Sequence, residues 1–238
     1  MYIKIKKDTG KKLKEILTNK NEFIKFIKFY SNFYKYKFQD ALCIYVQNEN
    51  VTAVAEYDTW QRIKYQVKKG ERGIGLFDDS KFSKLRYVFD VSSTYQQKIK
   101  LWEYIEDKHK NILDLDFSKD KFIEKYSIEN IEDESIKNLI YCMNKLAKNT
   151  RLGIEIENFD KIIEKALPKI QLEDIDIFFD KLCSTISQDL REIENTIKSY
   201  ERNLLKEKEQ KSVPFSNDKN NENISIESKK EYIKQYFG

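Results

Sequence analysis

Apolar residues in the first third of the chain recur at two different spacings. Between residues 11 and 34, Leu13, Ile16 and Leu17, then Phe23, Phe26, Ile27, Tyr30, Phe33 and Tyr34, fall three or four apart, as one face of a helix requires. The polar run Thr18-Asn19-Lys20-Asn21 interrupts them, so the pattern predicts two helices, the second capped by Asn21, whose side chain can accept from first-turn amides. Residues 40–46 (DALCIYV) are apolar on nearly every side and read as a helix, with Asp40 at its positive end. From Val51 the period shortens. Residues 52–55, 65–67, 74–77 and 86–91 read as strands, and residues 58–63 as one or two helical turns capped by Asp58 or Thr59. Gly70 and Gly73 supply the turn ahead of the third strand.

Beyond Tyr95 the spacing is helical again. One helix is expected from Ile99, Leu101, Trp102 and Ile105, a short one at residues 122–126, and a third through Ile136, Leu139, Ile140, Met143 and Leu146. A fourth, through Phe159, Ile162, Ile163 and Ala166, should end at Pro168. The longest, residues 175–206, carries Phe178, Leu182, Ile186, Leu190, Ile193 and Ile197 on one side, a stripe suited to neighbouring helices or to a partner helix. The expected fold class is α+β: a small α+β domain over residues 1–98, an all-α region over 99–205, a polar linker at 206–223 and an amphipathic helix at 224–238.

Charge sharpens that division. Residues 1–100 hold 21 Lys and Arg against 11 Asp and Glu, whereas the remainder holds 23 against 29. The first part is therefore basic and the second acidic, which the overall +4 conceals. With 40% hydrophobic and 13% aromatic residues, wholesale disorder is excluded. Cys43, Cys142 and Cys183 are odd in number, widely spaced and set in apolar segments, so they read as buried thiols of a reducing compartment. The opening residues lack the apolar core of a signal peptide and no run is long enough to span a membrane, so a cytoplasmic location is expected.

Catalytic chemistry finds little to use. The single histidine, His109, lies between two lysines and is expected on an exposed helix face. No phosphate-binding or dinucleotide glycine motif occurs, and pairs such as Asp78-Asp79, Asp114/Asp116 and Asp174/Asp176 are what 40 acids produce by chance. No enzyme activity, metal or cofactor is expected. Nucleic acid suits the residues better, because single-strand binders set aromatic platforms beside a basic track. Phe23, Phe26, Tyr30 and Phe33 share a helical face and belong to the core, which leaves Tyr34, Lys35 and Tyr36 as the solvent-facing candidates. Arg62, Lys64, Lys68, Lys69 and Arg72 make the densest basic cluster, on a glycine turn whose amides can approach a phosphate. Trp60 is read either as a core anchor or as a base platform; Gln47 and Thr52 either contact bases or cap local structure.

Three segments carry a resemblance: FYKYKFQDALCIYVQNENVTAVAEYDTW, VKKGERGI and VFDVSST. Over about residues 15–94 the chain resembles the N-terminal domain of ArdC-type antirestriction proteins, a module of plasmids and conjugative elements associated with single-stranded DNA. The longer stretches WQRIKYQVKKGERGIGLFDD and RYVFDVSSTYQQKIKLWEY are similar to the N-termini of very large helicase and methylase-like proteins of mobile elements, whose helical continuation is also similar. Where the family usually has Ser-Phe, Asn and Pro, this chain has Lys37-Phe38, Asp40 and Glu49. ArdC itself continues into a zinc-peptidase-like domain marked by HExxH, a motif missing here. The resemblance implies a non-catalytic module whose partner is DNA, mainly single-stranded, with an antirestriction, antidefence or DNA-transfer role in a mobile element or phage. Two other readings stay open: an adaptor whose acidic helical half inhibits a host protein, and the N-terminal piece of a larger helicase or methylase.

Overall fold

In the computed structural model, residues 1–211 are described apart from 79, 81, 82, 114, 116 and 117. The expected C-terminal helix and most of the linker therefore lie outside the described residues, as do Asp79, Asp114 and Asp116.

Two helices open the chain, α1 (Tyr2–Thr18) and α2 (Lys20–Tyr30). Asn19, not Asn21, is the residue that separates them: its Oδ1 accepts from Asn21 N at 2.9 Å and Glu22 N at 3.3 Å, which satisfies two amides that the new helix leaves unpaired. The first helix also starts nine residues earlier than the apolar spacing indicated, because Ile5 and Thr9 extend its buried face. Next, α3 (Phe38–Gln47) confirms the helix expected around residues 40–46.

A three-stranded antiparallel sheet follows, built from β1 (Val54–Glu56), β2 (Ile74–Phe77) and β3 (Leu85–Asp90) in the order β1-β3-β2. The short helix α4 (Tyr57–Arg62) leaves β1 directly, and neither Asp58 nor Thr59 caps it. The strand expected at residues 65–67 reduces to a single bridge between Val67 and Thr94. Alternation decides the faces of the sheet. Val54, Ile74, Leu76 and Val88 are buried on the side that packs against α3. The register Ala55↔Phe89 and Gly75↔Tyr87 puts these residues on the other side.

The helix expected around Ile99–Ile105 does not form. Residues 98–105 run without regular structure into α5 (Glu106–His109), with Leu101 exposed and Trp102 half-buried. Here tertiary contacts override a helix-like spacing: Trp102 lies under the guanidinium of Arg151, 3.9 Å from its ring centre, and Arg151 donates to Trp102 O at 2.7 Å. His109, expected on the surface, is fully buried; its Nδ1 accepts from Ile105 N at 2.9 Å.

The remaining helices are α6 (Lys119–Lys125), α7 (Glu134–Leu152), α8 (Asp160–Ala166) and α9 (Ile175–Lys211). Asp133 caps α7, and Gly153, at φ 68°, closes it in the left-handed region that other residues resist. A turn of 3₁₀ helix containing Pro168 ends α8, as the proline requires. The long helix α9 continues five residues past its expected end.

One continuous core joins the helices of both halves, running from Ile5 to Ile197. Phe179 of α9 stacks on Phe38 of α3 with ring centres 4.4 Å apart and meets Phe26 of α2 edge-on at 6.1 Å. The apolar stripe of α9 is thus consumed inside the molecule: Leu182, Ile186, Leu190 and Ile197 are buried, and α9 packs on α3 and α7. All three cysteines are buried, and burial pushes their thiols up, Cys43 to about 12 and Cys142 to about 11.

Candidate nucleic-acid interface

The candidates from the aromatic segment turn inward. Tyr34 is 3% exposed; its hydroxyl donates to Glu194 and accepts from Trp102 Nε1 at 3.0 Å. Burial, reinforced by the adjacent carboxylate, pushes its phenol well up. Lys35 keeps half its side chain in solvent, but its ammonium pairs with Glu194 at 2.7 Å. Tyr36 is half-buried and donates to Val54 O at 2.7 Å; burial raises its phenol to about 12. These three residues link the N-terminal helices to the sheet and to α9.

Glu194 is the centre of that link. Burial works against its charge, but hydrogen bonds from Lys35, Tyr34 and Lys198 outweigh burial and hold the carboxyl at about 2. Its unfolded value is about 4.3, so its contribution is complete above that pH and is lost as pH falls through the folded value. Thermal melting from pH 5 to 2 should therefore show a steeper loss of Tm in the unaltered chain than in Glu194→Gln. Equal slopes would show that the carboxylate contributes nothing to the acid limb.

Two more candidates are taken up by the backbone. Gln47 Nε2 donates to Gly75 O at 2.7 Å and to Cys43 O at 2.9 Å, while its Oε1 accepts from Gly75 N at 3.0 Å. Trp60 is 2% exposed, donates to Phe89 O at 2.8 Å and stacks against Tyr65 with ring centres 5.4 Å apart. The core-anchor reading of Trp60 is the one its burial supports. The Thr52 side chain faces solvent, and its amide donates to Asp90 Oδ1 at 2.9 Å. Asp90 also accepts from Ala53 N and from Ser92; these bonds outweigh desolvation and keep its carboxyl below the usual range.

The basic turn remains at the surface. Lys68 N donates to Ser93 O at 2.9 Å and Tyr95 N to Gln66 O at 3.0 Å, so residues 64–72 lie along residues 92–98. Gln96 clamps that pairing, donating to Lys64 O at 3.0 Å and accepting from Gln66 N at 3.1 Å. Lys64 takes φ 62° and Gly70 φ 87°, so the chain reverses twice in seven residues. Lys68 donates to Ser92 O at 3.0 Å and Arg62 to Thr59 Oγ1 at 2.9 Å. Among the described residues, Lys69 and Arg72 are exposed and make no ion pair.

Gly73, the residue after Arg72, adjoins a group of aromatic rings that the sequence pattern did not single out. On the sheet face opposite α3, Tyr87 is 44% exposed and Phe89 half-buried, and Tyr57 of α4, 45% exposed, meets Phe89 edge-on at 6.4 Å. Gly73 keeps this face low: a Cβ there would lie 3.1 Å from Tyr87 Cβ and 3.2 Å from the Phe89 ring. The signal was present in RYVFDV, where Tyr87 and Phe89 alternate with Val88. Alternation alone does not say which face is covered. Arg86, of the opposite parity, is spent on Asp40 and on Glu56, the latter at 3.3 Å.

The arrangement is an aromatic sheet face beside a basic turn, the two kinds of surface that unpaired bases and phosphates use. The region carrying it, residues 3–115, matches the family model of the N-terminal domain of anti-restriction factor ArdC. No curated protein and no solved structure matches the chain. No helix among the described residues is long and apolar enough to cross a membrane, and no group of His, Cys, Asp and Glu among them is placed to hold a metal ion.

Proposed function

We propose that the ArdC-type region binds single-stranded DNA, with Lys69 and Arg72 on phosphates and Tyr87, Phe89 and Tyr57 against bases, and that the chain is a non-catalytic antirestriction or DNA-transfer factor of a mobile element. The observation that carries this reading is the exposed rings of Tyr57 and Tyr87 on either side of the half-buried Phe89, beside a turn whose Lys69 and Arg72 make no ion pair among the described residues. Aromatic faces stack any base, whereas unpaired cations gain most from a polyanion, so the pair of surfaces favours a flexible strand over a protein partner. The match of residues 3–115 to the ArdC N-terminal family model supports the same class of role. Of the two features behind the adaptor reading, the apolar stripe of α9 is buried in the core, and the acidic character of the helical half is what still supports it.

The test is a salt titration of the whole chain against matched single- and double-stranded oligonucleotides. Affinity for the single strand should fall linearly in log–log form, and Tyr87→Ala should cost about 1–3 kcal/mol of binding. Absence of binding to the single strand at low salt, or a Tyr87→Ala affinity equal to that of the unaltered chain, would end the proposal.

A further inference from the structure

The first helix holds a charge pattern that neither the fold nor the interface uses. Lys4, Lys7, Lys11 and Lys14 are all exposed on α1, and among the described residues none of them forms an ion pair. Their spacing of three, four and three residues places them on one side of the helix. At about 1.5 Å per residue the row is about 15 Å long, one cation every 5 Å or so. Lys12, which lies outside the row, is the one that neutralises the adjacent acids: it holds Glu15 at 2.9 Å and Glu22 at 3.1 Å. The acids nearest the row are the half-buried Asp8 and this engaged Glu15.

The start of α1 also touches the aromatic sheet face. The Tyr87 hydroxyl lies 3.9 Å from Met1 Sδ, Tyr2 meets Phe77 edge-on at 5.2 Å, and Ile5 Cδ1 would stand 3.0 Å from a Cβ on Gly75. A strand leaving Tyr87 on this side therefore meets Met1 and Ile3, 54% and 82% exposed, and then the lysine row. We infer that α1 is a phosphate-binding extension of the interface, which guides a single strand from the sheet face along Lys4, Lys7, Lys11 and Lys14. This inference rests on the single-strand reading above. Charge complementarity commits the surface to a polyanion. The alternative polyanion, an acidic membrane, is held most firmly by a helix with a broad apolar face beside its cations, and in α1 the apolar residues Ile5 and Ile16 are buried in the protein.

The decisive comparison sets the full chain against the same chain carrying Lys4→Gln, Lys7→Gln, Lys11→Gln and Lys14→Gln, using oligothymidylates of increasing length. Thermal melting should be unchanged, since all four side chains are exposed. Affinity of the unaltered chain should keep rising beyond the oligomer length at which the variant levels off. For long oligomers the variant should bind at least tenfold more weakly at low salt, and its log–log salt slope should be smaller by about 2–3, from roughly 0.7 per phosphate contact. For the shortest oligomer that binds, the two should agree within about twofold. Equal plateau lengths and slopes would overturn the inference, and so would an equal loss at every length. Loss of binding to phosphatidylserine vesicles with unchanged oligomer binding would overturn it in favour of a membrane surface. Failure of the unaltered chain to bind any oligomer would overturn the single-strand reading itself, a result the other outcomes do not resemble.

Discussion

Phe179→Ala is expected to destabilise the chain by about 3–5 kcal/mol, the cost of removing a fully buried aromatic ring and leaving a cavity. The ring is 0% exposed and stacks on Phe38, with Phe26 and Phe23 edge-on at 6.1 and 6.3 Å. Those three neighbours sit on α2 and α3, whereas Phe179 sits on α9. The loss should therefore appear equally in the helical far-UV signal and in the fluorescence of Trp60 beside the sheet, with Trp102 replaced by Phe so that one tryptophan reports. Two separate urea transitions, with the Trp60 signal unmoved, would refute a shared core. A fragment ending near residue 98 would expose Phe23, Phe26 and Phe38 to water, so the whole chain is the proper sample.

Reversing charge at the basic turn is the second large effect. Lys69→Glu with Arg72→Glu should weaken binding to a single-stranded oligonucleotide about 10- to 100-fold at low salt and reduce the salt slope by about 1.4 or more, two phosphate contacts at roughly 0.7 each. Tm should hold, because both side chains are exposed and make no ion pair among the described residues. Trp60→Phe should behave in the opposite way. It breaks the bond to Phe89 O and lowers Tm, yet leaves affinity within about twofold, since the ring is buried. Charge reversal without effect on binding would remove the turn from the site. A tryptophan variant with normal Tm and weak binding would put the indole in contact with DNA.

The parts of the molecule that were legible in its sequence are those fixed by local chemistry. Ile74–Phe77 follows a glycine turn, and Pro168 ends α8 where a missing amide must. The core role of Phe23, Phe26 and Tyr30 could be read from their common helical face. What stayed hidden depends on distant partners. Ile99 to Ile105 has a helical spacing, yet Arg151 holds Trp102 in an irregular segment. Tyr34 borders the same aromatic run and looked available to solvent until Glu194, 160 residues away, claimed its hydroxyl. The interface divides in the same manner. Its cations could be found from composition and two glycines, whereas Tyr57 and Tyr87 became candidates only when α3 was seen to cover the other face of the sheet.

The side chain of Gln47 has an effect beyond anchoring α3. By giving Gly75 both a donor and an acceptor, it occupies the outer rim of β2 just as one residue of an additional strand would. A bare rim of that kind is a template on which a second molecule can add its own strand and begin to aggregate. An amide at the end of a helix thus acts as a stopper for the sheet, and the protein can leave Tyr87 exposed on one face of that sheet without also leaving this rung of its edge open to its own copies.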